Sequence, residues 1–356
     1  MSDPLAPGLL SRLPQPACKV AIVRASRIGD FLCATPAFRA LRAALPEAEL
    51  TLIALPLMRD LALRSPHLDR FEPFPGFPGI AEQFFDARNT MRFIQQMQNE
   101  AFDLAIQLHG SGVYANPFTL LLGARATAGF VRAHDAPGRL DAAFPLPSGM
   151  HEVHGLLAFT TFLGAPSRGP EMEFPLWEDD ERRADAMLTG VTEPLIGIQP
   201  GARSGNKRWA PERFVEVART LRQRHGGTII VLGGPDERAL AEELTHVVGA
   251  PCLALAGSIP IPVMGAVIAR LALLVTNDSG PAHIAYALGT PTITIFGGTE
   301  PARWGPLSRE RHRVLRAEVP CRPCEFDECP IGARCLNAVS ARDAAEVGMA
   351  MMRAGR

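Results

Sequence analysis

Three short polar stretches of the sequence carry residues that could bind an anion or move a proton. They are residues 24–30, 200–209 and 276–283, and each follows a short apolar run. Such runs are typical of strands that are buried on both faces of a sheet. Loops after parallel strands emerge at one edge of the sheet, where open α/β sheets bind their ligands. We therefore expect the chemistry of this protein to lie in these three loops.

The stretch TNDSGPAH, residues 276–283, predicts a site for an anion at the start of a helix. Pro281 suits the first turn of a helix, since its missing N–H would have no partner there. The other N–H groups and the positive end of the helix dipole favour a phosphate beside Asp278, Ser279 and Gly280. An ordinary turn that is capped by Asp278 or Ser279 explains the same residues, and both interpretations stay open.

The stretch PGARSGNKRW, residues 200–209, contains one of only two lysines in the chain. Lys207 follows a predicted strand in a loop of small residues, so it could contact a phosphate at the strand end. An ordinary surface lysine is the alternative. Trp209 is expected to pack beneath the loop.

Strands and helices alternate in both halves of the chain, which predicts an α/β protein with two doubly wound, Rossmann-like parallel sheets facing a central cleft. Residues 31–44 have the apolar pattern of a helix, and Pro36, which is tolerated only in the first turn or two, favours a start near Thr35. Residues 71–80 are rich in Pro and Gly and are expected to form a mobile loop without regular structure. The predicted strands are 20–23, 50–54, 104–108, 124–130, 195–199, 228–232, 252–256, 271–276 and 291–296. The predicted helices are 35–44, 211–225, 237–248, 262–270 and 281–288.

The length and composition predict two domains, because 356 residues exceed one comfortable core. A Pro-rich and then acidic stretch at 164–194 marks the boundary between them. The predicted parts are a flexible lead-in at 1–17, an N-terminal domain at 18–175, a C-terminal domain at 176–338 and a C-terminal helix at 339–356.

The charge and hydropathy exclude several classes of protein. A formal net charge of −1 gives no general attraction to nucleic acid or to a membrane. No apolar run approaches the roughly 18 residues that span a bilayer, and the N-terminus lacks the pattern of a signal peptide. We expect a cytoplasmic enzyme with no nucleic-acid partner. Any contact with the inner membrane surface should be peripheral and transient.

Five motifs, in this order, give the chain a resemblance to a known family. They are RASRIGDFLCATPAFRALRAALP, IQPGARSGNKRW, LGGPDE, TNDSGPAHIAYALGTPTITIFG and CRPCEFDECPIGARCLNAVS. The sequence resembles the ADP-heptose:lipopolysaccharide heptosyltransferase family, glycosyltransferase family 9, from about Val20 to the C-terminus. The resemblance implies the GT-B fold, with an N-terminal domain on the acceptor side and a C-terminal domain that binds the nucleotide sugar.

The resemblance also implies a reaction and roles for individual residues. The reaction is transfer of heptose from ADP-heptose to a lipopolysaccharide-core or related glycan or glycolipid acceptor, with inversion and with no cofactor required for catalysis. Asp30 matches the candidate base, Lys207 the lysine that meets the donor diphosphate, and Glu237 the acidic residue near the ribose. The implied donor-binding set is Gly201, Arg203, Lys207, Glu237, Asp278, Ser279, Gly280 and His283.

The physical chemistry of these residues is consistent with those roles and leaves alternatives. An inverting transfer needs one base beside the acceptor hydroxyl, which Asp30 could supply. Asp30 could instead cap the following helix, and His283 could be a packing residue. Lys207 and the helix start could stabilise the departing diphosphate without a metal. A GT-B transferase or epimerase that uses another nucleotide sugar, and a silent nucleotide-binding protein, remain alternatives.

Four cysteines near the C-terminus follow the pattern C-x2-C-x4-C-x5-C. Four thiolates at such close spacing could form a structural zinc or iron site. The spacing is tighter than in a usual zinc ribbon, and disulfides are less favoured in a reducing cytoplasm. The resemblance implies that such clusters lie away from the catalytic motifs, so we favour a structural role over a catalytic one. The candidate ligands are Cys321, Cys324, Cys329 and Cys335.

Overall fold

The computed structural model describes residues 7–14, 18–324 and 326–354. The chain divides into two compact units, Met1–Glu173 and Phe174–Arg356. The sequence pattern predicts this boundary at residue 175. Parts of the predicted lead-in, residues 1–6 and 15–17, lie outside the described residues. Between them, Leu9–Arg12 forms a short 3-10 helix in which Leu9 and Leu10 are buried.

Unit 1 is one parallel sheet with helices, in the strand order β3-β2-β1-β4-β5-β6. Its strands among the described residues are β1 (Lys19–Arg24), β2 (Glu49–Ala54), β3 (Arg70–Pro73), β4 (Leu104–Gln107), β5 (Ala126–Val131) and β6 (Ala142–Pro145). Its helices there are α1 (Ile28–Ala44), α2 (Arg59–Arg64), α3 (Ala87–Glu100), α4 (Ala115–Leu121) and α5 (Glu152–Leu163).

Unit 2 repeats this design in the order β12-β11-β10-β7-β8-β9, again with parallel neighbours. Its strands among the described residues are β7 (Leu195–Gln199), β8 (Thr228–Val231), β9 (Cys252–Ala254), β10 (Leu273–Asn277), β11 (Thr292–Ile295) and β12 (His312–Leu315). Its helices there are α6 (Glu178–Met187), α7 (Pro211–His225), α8 (Arg238–Val248), α9 (Ile261–Ala269), α10 (Gly280–Leu288), α11 (Pro301–Trp304), α12 (Arg334–Asn337) and α13 (Ala341–Ala354).

The strand order of each unit fixes where a ligand can bind. In unit 1 the order reverses between β1 and β4, and in unit 2 it reverses between β7 and β10. At such a point the connecting helices leave to opposite faces and open a crevice at the carboxyl ends of the two strands. Asp30, Lys207 and Asp278 each lie in the segment that directly follows one of these four strands.

Helix α1 begins seven residues earlier than the sequence predicts, at Ile28 rather than near Thr35. Pro36 therefore lies inside the helix, where it has no N–H for the carbonyl of Leu32. The hydroxyl of Thr35 donates to that carbonyl at 2.8 Å and replaces the missing hydrogen bond. The prediction was wrong because a side chain compensates for the proline.

The prediction that residues 71–80 lack regular structure is wrong in part. Residues Arg70–Pro73 form β3 at the edge of the sheet, and Phe77 pairs with Ile80 in an isolated bridge. Phe74 is buried, and its ring packs edge-on against Phe118 of α4 at 5.0 Å between centroids. Aromatic packing orders this Pro- and Gly-rich segment.

The C-terminal helix α13 packs against unit 2. A side chain added at Gly348 would approach Leu221 of α7 and Leu273 of β10 within 3.2 Å, so the helix lies close to both. Among the described residues, none of the helices combines the length and the apolar character needed to cross a bilayer.

Candidate active site

In unit 2, Lys207 and Asp278 meet at the carboxyl ends of β7 and β10. The ammonium nitrogen of Lys207 lies 2.9 Å from Oδ2 of Asp278. Thr299, in the loop after β11, donates its hydroxyl to the same oxygen at 2.5 Å. The side chain of Asp278 is 3% exposed and that of Lys207 is 28% exposed. A buried carboxylate thus holds a partly accessible cation beside the start of α10.

The start of α10 is not capped by a side chain of its own N-cap residue. Ser279 occupies the N-cap position, but its hydroxyl donates to Oε1 of Gln199 at 2.9 Å instead of accepting from the helix. Gly280 and Pro281 are the first helical residues. The capping interpretation of Asp278 and Ser279 is therefore wrong, which leaves the helix start open to an anion.

His283 lies one turn into α10 and is buried. Its Nε2 is 4.0 Å from Oδ1 of Asp278, and its ring packs edge-on against Tyr286 and Trp304. Both expectations from the sequence, a site residue and a packing residue, are compatible with this position.

Asn277 holds the loop of Lys207 against β10. Its amide nitrogen donates to the carbonyl of Pro200 at 2.7 Å, and its Oδ1 accepts from the backbone N–H of Trp209 at 3.1 Å. Trp209 is 1% exposed and donates its indole N–H to Val339 at 3.0 Å, so it packs beneath the loop as predicted. The loop is therefore anchored at both ends.

Glu237 and Gly201 lie side by side at the same edge of the sheet. The carboxylate of Glu237 accepts from the N–H of Gly234 at 2.7 Å and from Nε2 of Gln199 at 3.4 Å. A Cβ atom at Gly201 would lie 1.5 Å from Oε1 of Glu237, so a side chain there would displace this carboxylate. The side chain of Arg203 is exposed and has no hydrogen bond or ion pair with any residue that the structure describes. The structure thus groups the predicted donor-binding residues except Arg203.

Several polar residues of this site were not singled out from the sequence. Thr276 and Ser279 both donate to Oε1 of the buried Gln199, at 2.8 and 2.9 Å. Thr299 completes the shell around Asp278. Gln199 and Thr276 could have been found from the sequence, because each is a polar residue at the end of an apolar strand. No feature of the local sequence marks Thr299 as a site residue.

The cysteine segment, residues 321–335, lies against the Lys207 loop. The backbone N–H of Asn206 donates to the carbonyl of Asp327 at 3.0 Å, and Ser204 donates to its carboxylate at 2.7 Å. Cys324 donates its N–H to the carbonyl of Gly298 at 2.8 Å. The expectation that this cluster lies away from the catalytic motifs is therefore wrong, because the segment supports the loop that carries Lys207.

The four cysteines line one small cavity together with Arg322 and Asn206. Burial raises the pKa of the Cys335 thiol, which favours its neutral form. Within the described parts of the chain, no three Cys, His, Asp or Glu side chains lie close enough together to hold a metal ion. The predicted structural metal site stays a prediction.

In unit 1, Asp30 lies in the first turn of α1, at the carboxyl end of β1. Arg27 occupies the N-cap position, so the alternative that Asp30 caps this helix is wrong. The side chain of Asp30 is 35% exposed, and its Oδ1 lies 3.5 Å from Nη2 of the buried Arg24. Glu152, the first residue of α5, lies 3.1 Å from the same nitrogen.

His109 and Ser26 form a second polar pair at this edge, with Nδ1 of His109 2.9 Å from the serine hydroxyl. Burial and the positive charge of Arg24 lower the pKa of His109, so its neutral form predominates at neutral pH. The sequence placed both residues in strand-end loops but assigned them no role. Unit 1 thus presents a partly exposed carboxylate in a polar crevice.

The sequence model of glycosyltransferase family 9 (heptosyltransferase) matches residues 90–333, well over half of the chain. The chain belongs to this family. The resemblance inferred from the motifs is confirmed, and the protein is a glycosyltransferase.

Named relatives of this family-9 glycosyltransferase agree with the assignment. It is 25% identical to the lipopolysaccharide core heptosyltransferase OpsX of Haemophilus influenzae, over 84% of each chain. It is 28% identical to the lipopolysaccharide heptosyltransferase 3 of Escherichia coli, over 79% of this chain and 84% of that one.

A solved structure of a relative shares the fold. The ADP-heptose lps heptosyltransferase II of E. coli superposes with a TM-score of 0.75 at 22% identity, covering 95% of this chain and 99% of that one. The predicted fold class, two Rossmann-like domains of the GT-B type, is confirmed.

Proposed function

We propose that the protein transfers heptose from ADP-heptose to a glycan of the lipopolysaccharide core or to a related glycolipid. Membership of family 9 supports heptosyl transfer. The names of the relatives, which include an ADP-heptose enzyme and lipopolysaccharide heptosyltransferases, support this donor and this acceptor. The transfer proceeds with inversion at the anomeric carbon and without a catalytic metal ion.

The observation that carries this proposal is the contact between Lys207 and Asp278 at the start of α10. A diphosphate placed at the helix start meets directed N–H groups, the positive helix dipole and the Lys207 ammonium. It competes with Asp278 for the lysine, and Thr299 remains to satisfy the carboxylate. The site therefore suits the diphosphate of a nucleotide sugar.

These same groups support catalysis without a metal ion. As the glycosidic bond breaks, negative charge grows on the departing ADP, and fixed cations and dipoles stabilise it without reorganisation. Asp278 is engaged by Lys207 and Thr299, so its role is to position the lysine. The lysine thus stabilises the negative charge of the departing diphosphate, as a divalent cation does in other glycosyl transfers.

Asp30 of unit 1 supplies the base for the acceptor. Inversion by a single displacement needs one group that removes the proton from the attacking hydroxyl. Asp30 lies at the carboxyl edge of its sheet and is partly exposed, which suits contact with a substrate hydroxyl.

Release of nucleotide from a panel of ADP-, GDP- and UDP-sugars tests the proposed reaction. We expect turnover with ADP-heptose and a fall of roughly 10²–10⁴-fold in Asp30→Asn, with ADP binding retained. Asp60→Asn, an exposed aspartate at the start of α2, is the matched control and should behave as wild type. Preference for another nucleotide would refute the donor, and binding of ADP without any product would indicate a silent binding protein.

An acceptor anchored in a membrane implies contact with the membrane surface, and one patch of unit 1 suits it. Phe84 and Phe85, just before α3, are 85% and 40% exposed, and Met91, in the second turn of α3, is 65% exposed. Arg88 and Arg92, exposed between and beside them, form no ion pair with any described residue. Asp86, the exposed carboxylate among them, accepts from the N–H of Asn89 as the N-cap of α3. Three apolar and two cationic side chains beside this one carboxylate favour an anionic bilayer surface.

Sedimentation with lipid vesicles tests this contact. The protein should pellet with phosphatidylglycerol vesicles more than with phosphatidylcholine vesicles. The double substitution Phe84→Ser and Phe85→Ser should reduce that fraction. Phe326→Ser in unit 2, which removes a phenylalanine that is 63% exposed, should not. Equal pelleting of all three proteins would refute the patch.

A further inference from the structure

Arg24, the last residue of β1, is a buried cation behind the proposed base. Its side chain is 2% exposed. Two of its nitrogens, Nε and Nη2, donate to the backbone carbonyl of Asp30 at 3.2 and 2.9 Å. Nη1 donates to the carbonyl of Leu108, just after β4, and Nη2 pairs with Glu152 at 3.1 Å. One guanidinium thus joins β1, the end of β4, α1 and α5.

A cation in this position requires compensation. Burial alone would lower the pKa of Arg24, but the carboxylates of Glu152 and Asp30 outweigh burial and raise the pKa, so the charge is retained. The backbone carbonyls of Leu108 and Asp30 accept hydrogen bonds from further N–H groups of the guanidinium. Lysine could not reproduce this geometry, because its ammonium is a single point of charge without a planar fork.

We propose that Arg24 is a positioning residue for the transfer reaction. Its guanidinium donates to the backbone carbonyl of Asp30 and lies beside the Asp30 carboxylate, and these contacts fix the position of that side chain. Glu152 is the counter-charge that holds the guanidinium in place. The donors of Arg24 reach Asp30 from the buried side, while 35% of the Asp30 side chain remains exposed. The carboxylate therefore keeps one orientation towards substrate, which general-base catalysis needs.

This inference rests on the proposed role of Asp30 and extends it to two residues with no assigned role. Arg24 could instead be a purely structural tie between four elements. The two roles differ in one measurable respect. A residue that acts through Asp30 has nothing left to position once Asp30 cannot act as a base, whereas a structural tie matters in either background.

A double-mutant cycle on turnover separates these roles. Arg24→Lys should lower kcat by about 10- to 100-fold, the loss expected from a misplaced catalytic group. The affinity for ADP, which unit 2 binds, should stay within about twofold. In the Asp30→Asn background, the same Arg24→Lys change should lower kcat by less than about threefold, because residues that act as a unit are not additive.

Glu152→Gln provides a second variant that keeps the guanidinium and removes its counter-charge. It should lower kcat in the same direction by a smaller factor, and this effect too should vanish in the Asp30→Asn background. Arg39→Lys is the matched control. Arg39 lies on α1, pairs with Glu173 and donates to the carbonyl of Gly169 at 2.8 Å, away from the sheet edge. Its kcat should equal that of wild type.

Two results would overturn the positioning role and leave the base role of Asp30 intact. One is an equal loss of kcat in the wild-type and Asp30→Asn backgrounds. The other is an unchanged kcat in both Arg24→Lys and Glu152→Gln. An unchanged kcat in Asp30→Asn alone would overturn the base itself and the positioning role with it. Thermal unfolding of each variant shows whether a loss of turnover reflects loss of the fold.

Discussion

Replacing Lys207 with alanine should affect both stability and catalysis, because its ion-pair partner is buried. Asp278 would lose a contact of 2.9 Å and keep the hydrogen bond from Thr299. Breaking a fully buried pair costs about 3–5 kcal/mol, and an exposed pair contributes about 0–1 kcal/mol. Lys207 is 28% exposed and Asp278 is 3% exposed, so the pair lies between these limits. We expect the free energy of unfolding to fall by about 1–3 kcal/mol.

The catalytic loss should be larger than the loss of stability. Removing one strong electrostatic donor from a transition state costs roughly 3–4 kcal/mol. At about 1.4 kcal/mol for each factor of ten, kcat/KM should fall by about 100- to 1,000-fold. Binding of ADP should weaken as well, because the diphosphate loses its cation.

A second substitution separates the two losses. Lys207→Ala combined with Asp278→Asn removes the uncompensated buried charge, so most of the stability should return. The kcat/KM should not return, since no cation then faces the diphosphate. Lys19→Ala is the control for loss of a lysine, because Lys19 is 43% exposed and pairs with Glu100 in unit 1. Urea unfolding and release of ADP from ADP-heptose give the two readouts.

Recovery of kcat/KM in the double variant would refute the reasoning, because Lys207 would then serve only to neutralise Asp278. Unchanged stability in Lys207→Ala would show that the buried pair contributes nothing. A wild-type enzyme that EDTA inactivates and magnesium restores would refute the metal-free mechanism and make Asp278 a candidate metal ligand.

Three further predictions concern the loop, the cysteines and the pH dependence. Gly201→Ala should lower donor affinity by at least about tenfold, since the new Cβ would meet the carboxylate of Glu237; titration with ADP checks this, and an unchanged affinity would contradict it. Metal analysis of anaerobically purified protein should find about one zinc or iron per chain if the cysteine segment closes on a metal, and folded, metal-free protein with free thiols would exclude the site. Burial lowers the pKa of His312 to about 4, so its contribution to stability is complete above its unfolded pKa of about 6.5 and is lost as the pH falls towards 4. His312→Phe should therefore lose about 1–3 kcal/mol less stability between pH 7 and pH 4 than wild type, measured by urea unfolding, and parallel losses would contradict this.

The central elements of both sheets could be predicted from the sequence. Strand β7 and helix α7 have the bounds that their apolar patterns predict. A strand that is buried on both faces needs a continuous apolar run, and an amphipathic helix needs a regular stripe. The edge strands β3, β6 and β12 were missed because each is only four residues long and partly exposed.

From the sequence, the residues of the site could be predicted only where they directly follow a recognisable strand. Lys207 and Asp278 were expected near one ligand because both follow strands of one sheet, and the structure places them in contact. The burial of Arg24 against Glu152, and the contact of the cysteine segment with the Lys207 loop, join residues more than 100 positions apart in the chain. Neither follows from any local pattern, because tertiary packing alone creates these contacts.

The anomeric configuration of the product, formed from ADP-heptose in the presence of EDTA, tests the central claim most directly. Nuclear magnetic resonance of the purified glycan reads this configuration. A single displacement with Asp30 as base and Lys207 at the diphosphate predicts full turnover in EDTA and a product whose anomeric configuration is opposite to that of the donor. A product with the configuration of the donor, or no product until magnesium is added, would contradict it.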